Sequence, residues 1–159
     1  MNTQETTRPD ALRARASSGA SWFYWIAGLS VVNSILAATG SNWGFLAGLG
    51  VTQLIDGVGQ AMGTWAKPLI LVLNGVVASI FVAIGWWAQR RVWVYLAGMI
   101  LFVLDTILIT VAGDWISVAF HGLVLFFLWG GLAAKRALDE ATPTAGEATG
   151  GSKDVDRAA

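Results

Sequence analysis

The residues of this chain best suited to chemistry are an aspartate and its one histidine, Asp105 and His121, each set inside a long apolar run. Lipid penalises such groups: an aspartate at the centre of a membrane helix costs roughly 2.5–3.5 kcal/mol on insertion scales. The two lie eight residues before and eight residues after Gly113. If two antiparallel helices meet at Gly113, both side chains sit ~12 Å from the turn at 1.5 Å per residue. They then face each other wherever their helix faces agree. An aspartate beside an imidazole can exchange a proton near neutral pH, which suits proton-linked binding, transport or sensing.

Other polar residues fall at a similar depth. Asn33 lies near the far end of the first apolar run with Ser30 one turn deeper, and Asn74 lies seven residues inside Lys67. Asp114, Ser117 and His121 share a helical face at i, i+3 and i+7. That face then turns apolar at Val124, Leu125 and Leu128. The pattern predicts a polar pocket facing the outer side and closed towards the cytoplasm. The competing reading is structural, because Asn, Asp and His between membrane helices also act as hydrogen-bonding glue, worth ~0.6–2 kcal/mol each. Glue is favoured for Asn33 and Asn74, and function for the ionisable pair. Asp56 and Gln53, on a polar stripe between the first and second runs, complete the candidate binding set of Asp105, His121, Asn33, Asn74, Asp56, Gln53 and Ser117.

Other chemistries find little support. The chain has no cysteine, which excludes disulfides, thiolate catalysis, Cys-ligated zinc and iron–sulfur clusters. One histidine is thin for a transition-metal site, so no metal and no cofactor is expected. There is no Gly-x-Ser-x-Gly, no His-Glu-x-x-His and no phosphate loop. The formal net charge is zero, and no basic surface for nucleic acid is implied.

The elements that must position these residues are four apolar runs, 22–38, 69–89, 92–113 and 115–134. Each approaches the ~20 residues that a helix needs to cross a bilayer core. Hydrophobic residues make up 55% of the chain and charged residues 13%, against about 25% charged in a soluble domain. The fold class is therefore an all-α integral membrane protein of four spans. The first run follows Arg8, Arg13 and Arg15 but is interrupted by Asn33 and Ser34 and lacks a clean cleavage site, so it reads as a retained anchor.

Basic residues favour the cytoplasmic side of short loops. Placing both termini inside puts Arg8, Arg13, Arg15, Arg90, Arg91, Lys135 and Arg136 in the cytoplasm and Lys67 outside. Tryptophan, which prefers the headgroup level, agrees. Trp22, Trp25, Trp86, Trp87, Trp93 and Trp129 fall near the inner boundary, and Trp43, Trp65 and Trp115 near the outer one.

Residues 43–63 are apolar on average but amphipathic at the helical period. Ala47, Val51, Leu54, Ile55, Val58 and Met62 form one face, and Thr52, Gln53, Asp56 and Gln60 the other. This predicts an outer helix, interfacial or re-entrant, between the first and second spans. A polar face without Lys or Arg is not the usual anionic-lipid anchor; it covers something polar in the protein, or it meets water. Trp43-Gly-Phe-Leu-Ala-Gly48 and Trp93-Val-Tyr-Leu-Ala-Gly98 echo each other, each followed by an aspartate, Asp56 and Asp105. A duplicated helix pair would produce this, as would two ordinary entries into a membrane.

The organisation expected is an N-terminal cytoplasmic segment over 1–20, a transmembrane bundle over 21–136, and a disordered cytoplasmic tail over 137–159. Thr7, Pro9 and Asp10 suggest a short separate helix ending near Ala16. The segment Gly19-Ala-Ser-Trp-Phe-Tyr-Trp-Ile-Ala-Gly-Leu-Ser-Val-Val-Asn-Ser34 resembles the start of a set of small bacterial inner-membrane proteins with four spans, and the likeness continues into 48–56. The resemblance implies a bacterial cytoplasmic membrane and no particular chemistry. The functional expectation is small-solute or proton-linked binding and transport through the outer pocket. Because four short spans rarely enclose a whole path, a homo-oligomer is expected with it. The alternative is a non-catalytic accessory or assembly subunit packed against a larger membrane partner.

Overall fold

The computed structural model describes residues 3–39 and 48–141, with side chains from residue 8 onward. The order is α1 (Thr3–Ala38), α2 (Gly50–Met62), a single 3-10 turn (Thr64–Ala66), α3 (Lys67–Ala88), α4 (Val92–Ala112) and α5 (Trp115–Ala141). All regular structure among the described residues is helical. Four helices are long and apolar enough to cross a membrane, so the chain is a multi-pass membrane protein. At 21 residues, α4 is about 31 Å long, the thickness of a bilayer's hydrocarbon core.

The spans form a closed square in which α1 packs on α3 and α5, and α4 packs on the same two. Phe23, Phe81, Tyr95, Phe102 and Leu128 fill its centre, with Phe23 and Tyr95 edge to face at 5.5 Å. Between membrane helices there is little hydrophobic drive, so small residues set how closely backbones approach. Gly19 of α1 and Gly131 of α5 meet in this way. A Cβ on Gly19 would lie 2.5 Å from Gly131 Cα, and a Cβ on either glycine would collide with the Tyr95 hydroxyl. Large apolar side chains such as Val111, Phe126 and Trp129 point outward, where lipid receives them.

Two boundaries differ from the sequence reading. The short helix near Pro9 and the first span are one element: α1 runs unbroken through Ala16 and Ala20, both buried. Pro9 falls within its first two turns, and Gly19 lies inside it, at the contact with Gly131. Packing thus begins at Ala16 and not at residue 21. At the other end α5 continues to Ala141, so residues 137–141, assigned from sequence to the tail, are helical. The helix-forming run Leu132-Ala-Ala-Lys-Arg-Ala-Leu138 carries it on, helped by Lys135 pairing with Asp139 at 2.7 Å. The rest of the tail, residues 43–47 of the expected outer helix, and the first half of the sequence echo lie outside the described residues.

The turn between α4 and α5 sets the depth of the site. Gly113 adopts a left-handed conformation, φ 79°, and its N–H caps the carbonyls of Ile109 and Thr110. This is the C-terminal stop that glycine permits without strain. Two residues later α5 begins, so positions equally far from Gly113 lie level.

Candidate functional site

The site is organised by α2, which rests against α1, α3 and α4. Its amphipathic faces are turned so that the polar one points inward. Thr52 and Asp56 are buried, whereas Leu54, Val58 and Met62 are exposed. Of the two readings left open by the helical wheel, the polar face therefore covers polar groups of the protein. Gln53 is half-buried and Gln60 exposed, so the buried stripe is narrower than the wheel suggests.

The start of α2 explains Asp105. A helix leaves its first amides without intrahelical partners, and the N-cap here is Leu49, whose side chain cannot accept a hydrogen bond. Neighbouring spans supply the acceptors. Leu49 N–H donates to Ser30 Oγ at 2.9 Å. Gly50 N–H donates to Asp105 Oδ2 and Val51 N–H to Asp105 Oδ1, each at 2.8 Å. A carboxylate at a helix N-terminus also meets the positive end of its dipole. Gly50 makes this approach feasible, since a Cβ there would collide with Ile109 and lie 3.3 Å from the Asp105 carbonyl oxygen.

His121 completes this first cluster. Its Nε2 lies 3.1 Å from Asp105 Oδ2, and its Nδ1 lies 2.7 Å from the Ser117 carbonyl oxygen. Its ring stacks on Phe102 with centroids 4.6 Å apart. Because a backbone carbonyl only accepts, Nδ1 carries a hydrogen. Nε2 then faces a carboxyl oxygen, and the pair is satisfied when one proton lies between Nε2 and Oδ2. With that single shared proton, every donor around Asp105 has an acceptor.

A second cluster lies along α2. Asp56 Oδ1 accepts from Asn74 Nδ2 at 2.6 Å, and Asp56 Oδ2 accepts from Ser34 Oγ at 3.1 Å. Asn74 Nδ2 also reaches Ser34 Oγ at 2.8 Å. Asn74 Oδ1 is buried with no hydrogen-bond partner among the described residues.

The hydrogen bonds of the residues singled out from sequence fall in two clusters. Asp105, His121 and Ser117 share the first cluster, and Asp56 and Asn74 share the second. Asn33 is buried beside Gly48, and Gln53 lines an apolar groove between α2 and α4. The polar pocket expected from sequence, open or thinly covered towards the outside, has α2 lying over it. Sequence reasoning missed Ser34 as the α1 member of the second cluster and missed the amides of Gly50 and Val51 as partners of Asp105. One signal was available: a helix that begins Leu-Gly inside apolar surroundings, with no Ser, Thr, Asp or Asn cap, must find acceptors elsewhere.

Asp114 stands at the head of α5, outside the spans. Its Oδ2 accepts from Ser117 Oγ at 2.5 Å and its Oδ1 from Ser117 N–H at 3.1 Å. The Ser117 hydroxyl holds this carboxyl below the usual carboxylate range, against a smaller opposing effect of burial. No group of three or more His, Cys, Asp or Glu suited to a metal occurs among the described residues. No protein-family model, curated protein or solved structure matches this chain.

Proposed function

We propose that this protein binds or passes a small solute in a proton-linked manner at the cluster beneath α2, with α2 as the part that opens. The proposal places it in a bacterial cytoplasmic membrane with both termini inside and α2 on the outer side. The observation that carries the reading is how α2 is attached. Beside the apolar packing of Leu49 and Val51, it meets the bundle through two buried carboxyl groups, Asp105 and Asp56, while Leu54, Val58 and Met62 face away. A segment held by apolar packing is indifferent to protons; one held by carboxylates is not.

The chemistry follows from donor counting. One proton shared by Asp105 and His121 leaves Oδ1 to Val51 N–H and Oδ2 to Gly50 N–H. A second proton removes the negative charge of the carboxyl, which weakens its bonds to both amides and loosens the start of α2. Other acidic groups nearby are Asp114, at the head of α5, and Asp56, on α2 itself. Opening would bare Ser30, Asp105 and His121 to the outer side, giving a solute both donors and acceptors. A homo-oligomer would supply the enclosure that four spans lack.

Reconstituted vesicles carrying a pH-sensitive dye, challenged with a panel of small solutes, test this. The expected result is solute-dependent proton movement that Asp105→Asn and His121→Ala abolish while both variants still insert. Variants that only lower the yield, with no proton movement in the unaltered protein, would assign the pair a structural role.

One observation favours the accessory-subunit reading. A groove of about 490 Å³, lined by Gly50, Leu54, Gly57, Val58, Leu108 and Ala112, runs between α2 and α4. Its glycines and apolar walls suit a helix of a larger membrane partner. Stoichiometric co-purification of such a partner would favour this reading, and a monodisperse homo-oligomer would count against it.

A further inference from the structure

The geometry points to a second site, at the opposite end of the bundle from α2, that binds the phosphate group of an anionic phospholipid. It goes beyond the proposed function and does not depend on the cluster beneath α2. A cavity of about 180 Å³ opens where α1, the end of α3, the start of α4 and α5 converge, lined among others by Arg13, Ser17, Gln89, Tyr95 and Lys135. Every polar side chain in that lining can donate hydrogen bonds, two carry positive charge, and no acidic residue is among them. The acids nearest in sequence, Asp10 and Asp139, pair with Arg13 and Lys135 along their own helices, and both are largely exposed.

Tyr95 supplies an independent observation. Its side chain is fully buried, and its hydroxyl has no hydrogen-bond partner among the described residues. Gly19 and Gly131 leave the room that this hydroxyl occupies, since a Cβ on either would collide with it. A buried hydroxyl without a partner is costly, and phenylalanine would fill the same space without that cost. Keeping the hydroxyl beside a cavity of donors fits a ligand rich in acceptors.

Depth selects the source of the phosphate. The cavity lies level with the ends of α3 and α4, where Trp86, Trp87 and Trp93 are exposed, which is the headgroup level that tryptophan favours. Basic pockets between spans at this level take phospholipid headgroups. A free phosphate ion offers the same oxygens but gains nothing from that depth.

The test uses the full chain in nanodiscs of phosphatidylcholine, with or without phosphatidylglycerol, read by native mass spectrometry and by thermal unfolding. One phosphatidylglycerol should remain bound, and it should raise the unfolding midpoint. Lys135→Gln and Arg13→Gln should each lower retention about fivefold, as removal of one basic contact to an anionic headgroup predicts. Arg13 is 63% exposed, so its variant keeps the test open should Lys135→Gln fold poorly. Tyr95→Phe should lower retention without lowering stability in phosphatidylcholine alone. Arg136→Gln, exposed and outside the lining, should change nothing. Equal loss in Arg136→Gln would mean diffuse charge attraction and overturn the site. Full stabilisation by inorganic phosphate alone would overturn the lipid assignment.

Discussion

Asp105 and Asp56 are both buried beneath α2, yet they are held in different ways. Asp105 is met by two backbone amides and an imidazole. Among the described residues Asp56 is met by side chains, and the Oδ1 of its partner Asn74 has no hydrogen-bond partner. The first arrangement fixes a backbone, because the amides of Gly50 and Val51 cannot move without moving the helix. The second fixes side chains, which can rearrange. Asp105 is therefore the attachment of α2, and Asp56 a softer contact along its length.

Breaking the stronger side of this comparison should have the largest effect. Asp105→Ala leaves two amides and His121 facing no acceptor, and should destabilise the fold by about 3–5 kcal/mol, measured by reversible unfolding in detergent–lipid mixtures. Asn74→Ala, on the weaker side, should cost only about 0.6–2 kcal/mol in the same assay. Equal losses would erase the distinction between the clusters. Two glycines of α2 sharpen it. Gly50→Ala should destabilise by about 1–3 kcal/mol, as overpacking against Ile109 does. Gly57, whose Cβ would meet nothing within 4 Å, should tolerate alanine and gain up to about 1 kcal/mol from helix propensity.

A comparably small effect is expected at Asp114. Asp114→Ala removes the cap of α5 and should cost about 1 kcal/mol. Its carboxyl is held below its ordinary value, so its contribution is complete above about pH 3.9. It fades as pH falls through the depressed folded value. Comparing the acid limb of stability in the variant and the unaltered chain reads this directly.

Much of the fold was legible because lipid simplifies the code. Four long apolar runs, a glycine after the third and basic residues in the short loops define four helices and their turns. The level position of Asp105 and His121 followed from counting eight residues either way from Gly113. The wheel of α2 found the right stripe but could not orient it, because an inward polar face and a water-facing one have the same period. Asp105's main partners escaped notice because backbone amides leave no mark in side-chain patterns. Ser34 was passed over in favour of its neighbour Asn33, the more polar residue. One residue is about 100° of helix, and Ser34 bonds to both Asp56 and Asn74. Thr7, Pro9 and Asp10 read as the start of a short separate helix, yet they lie inside α1, which runs on without a break.

The attachment of α2 through Asp105 is tested most directly by hydrogen–deuterium exchange across residues 49–56, comparing the unaltered chain with Asp105→Asn in the same lipid. The segment should be protected in the unaltered chain. In the variant it should exchange much faster, while the centres of α4 and α5 stay protected. Equal exchange in the two proteins would contradict the account and leave α2 held by something other than this carboxylate.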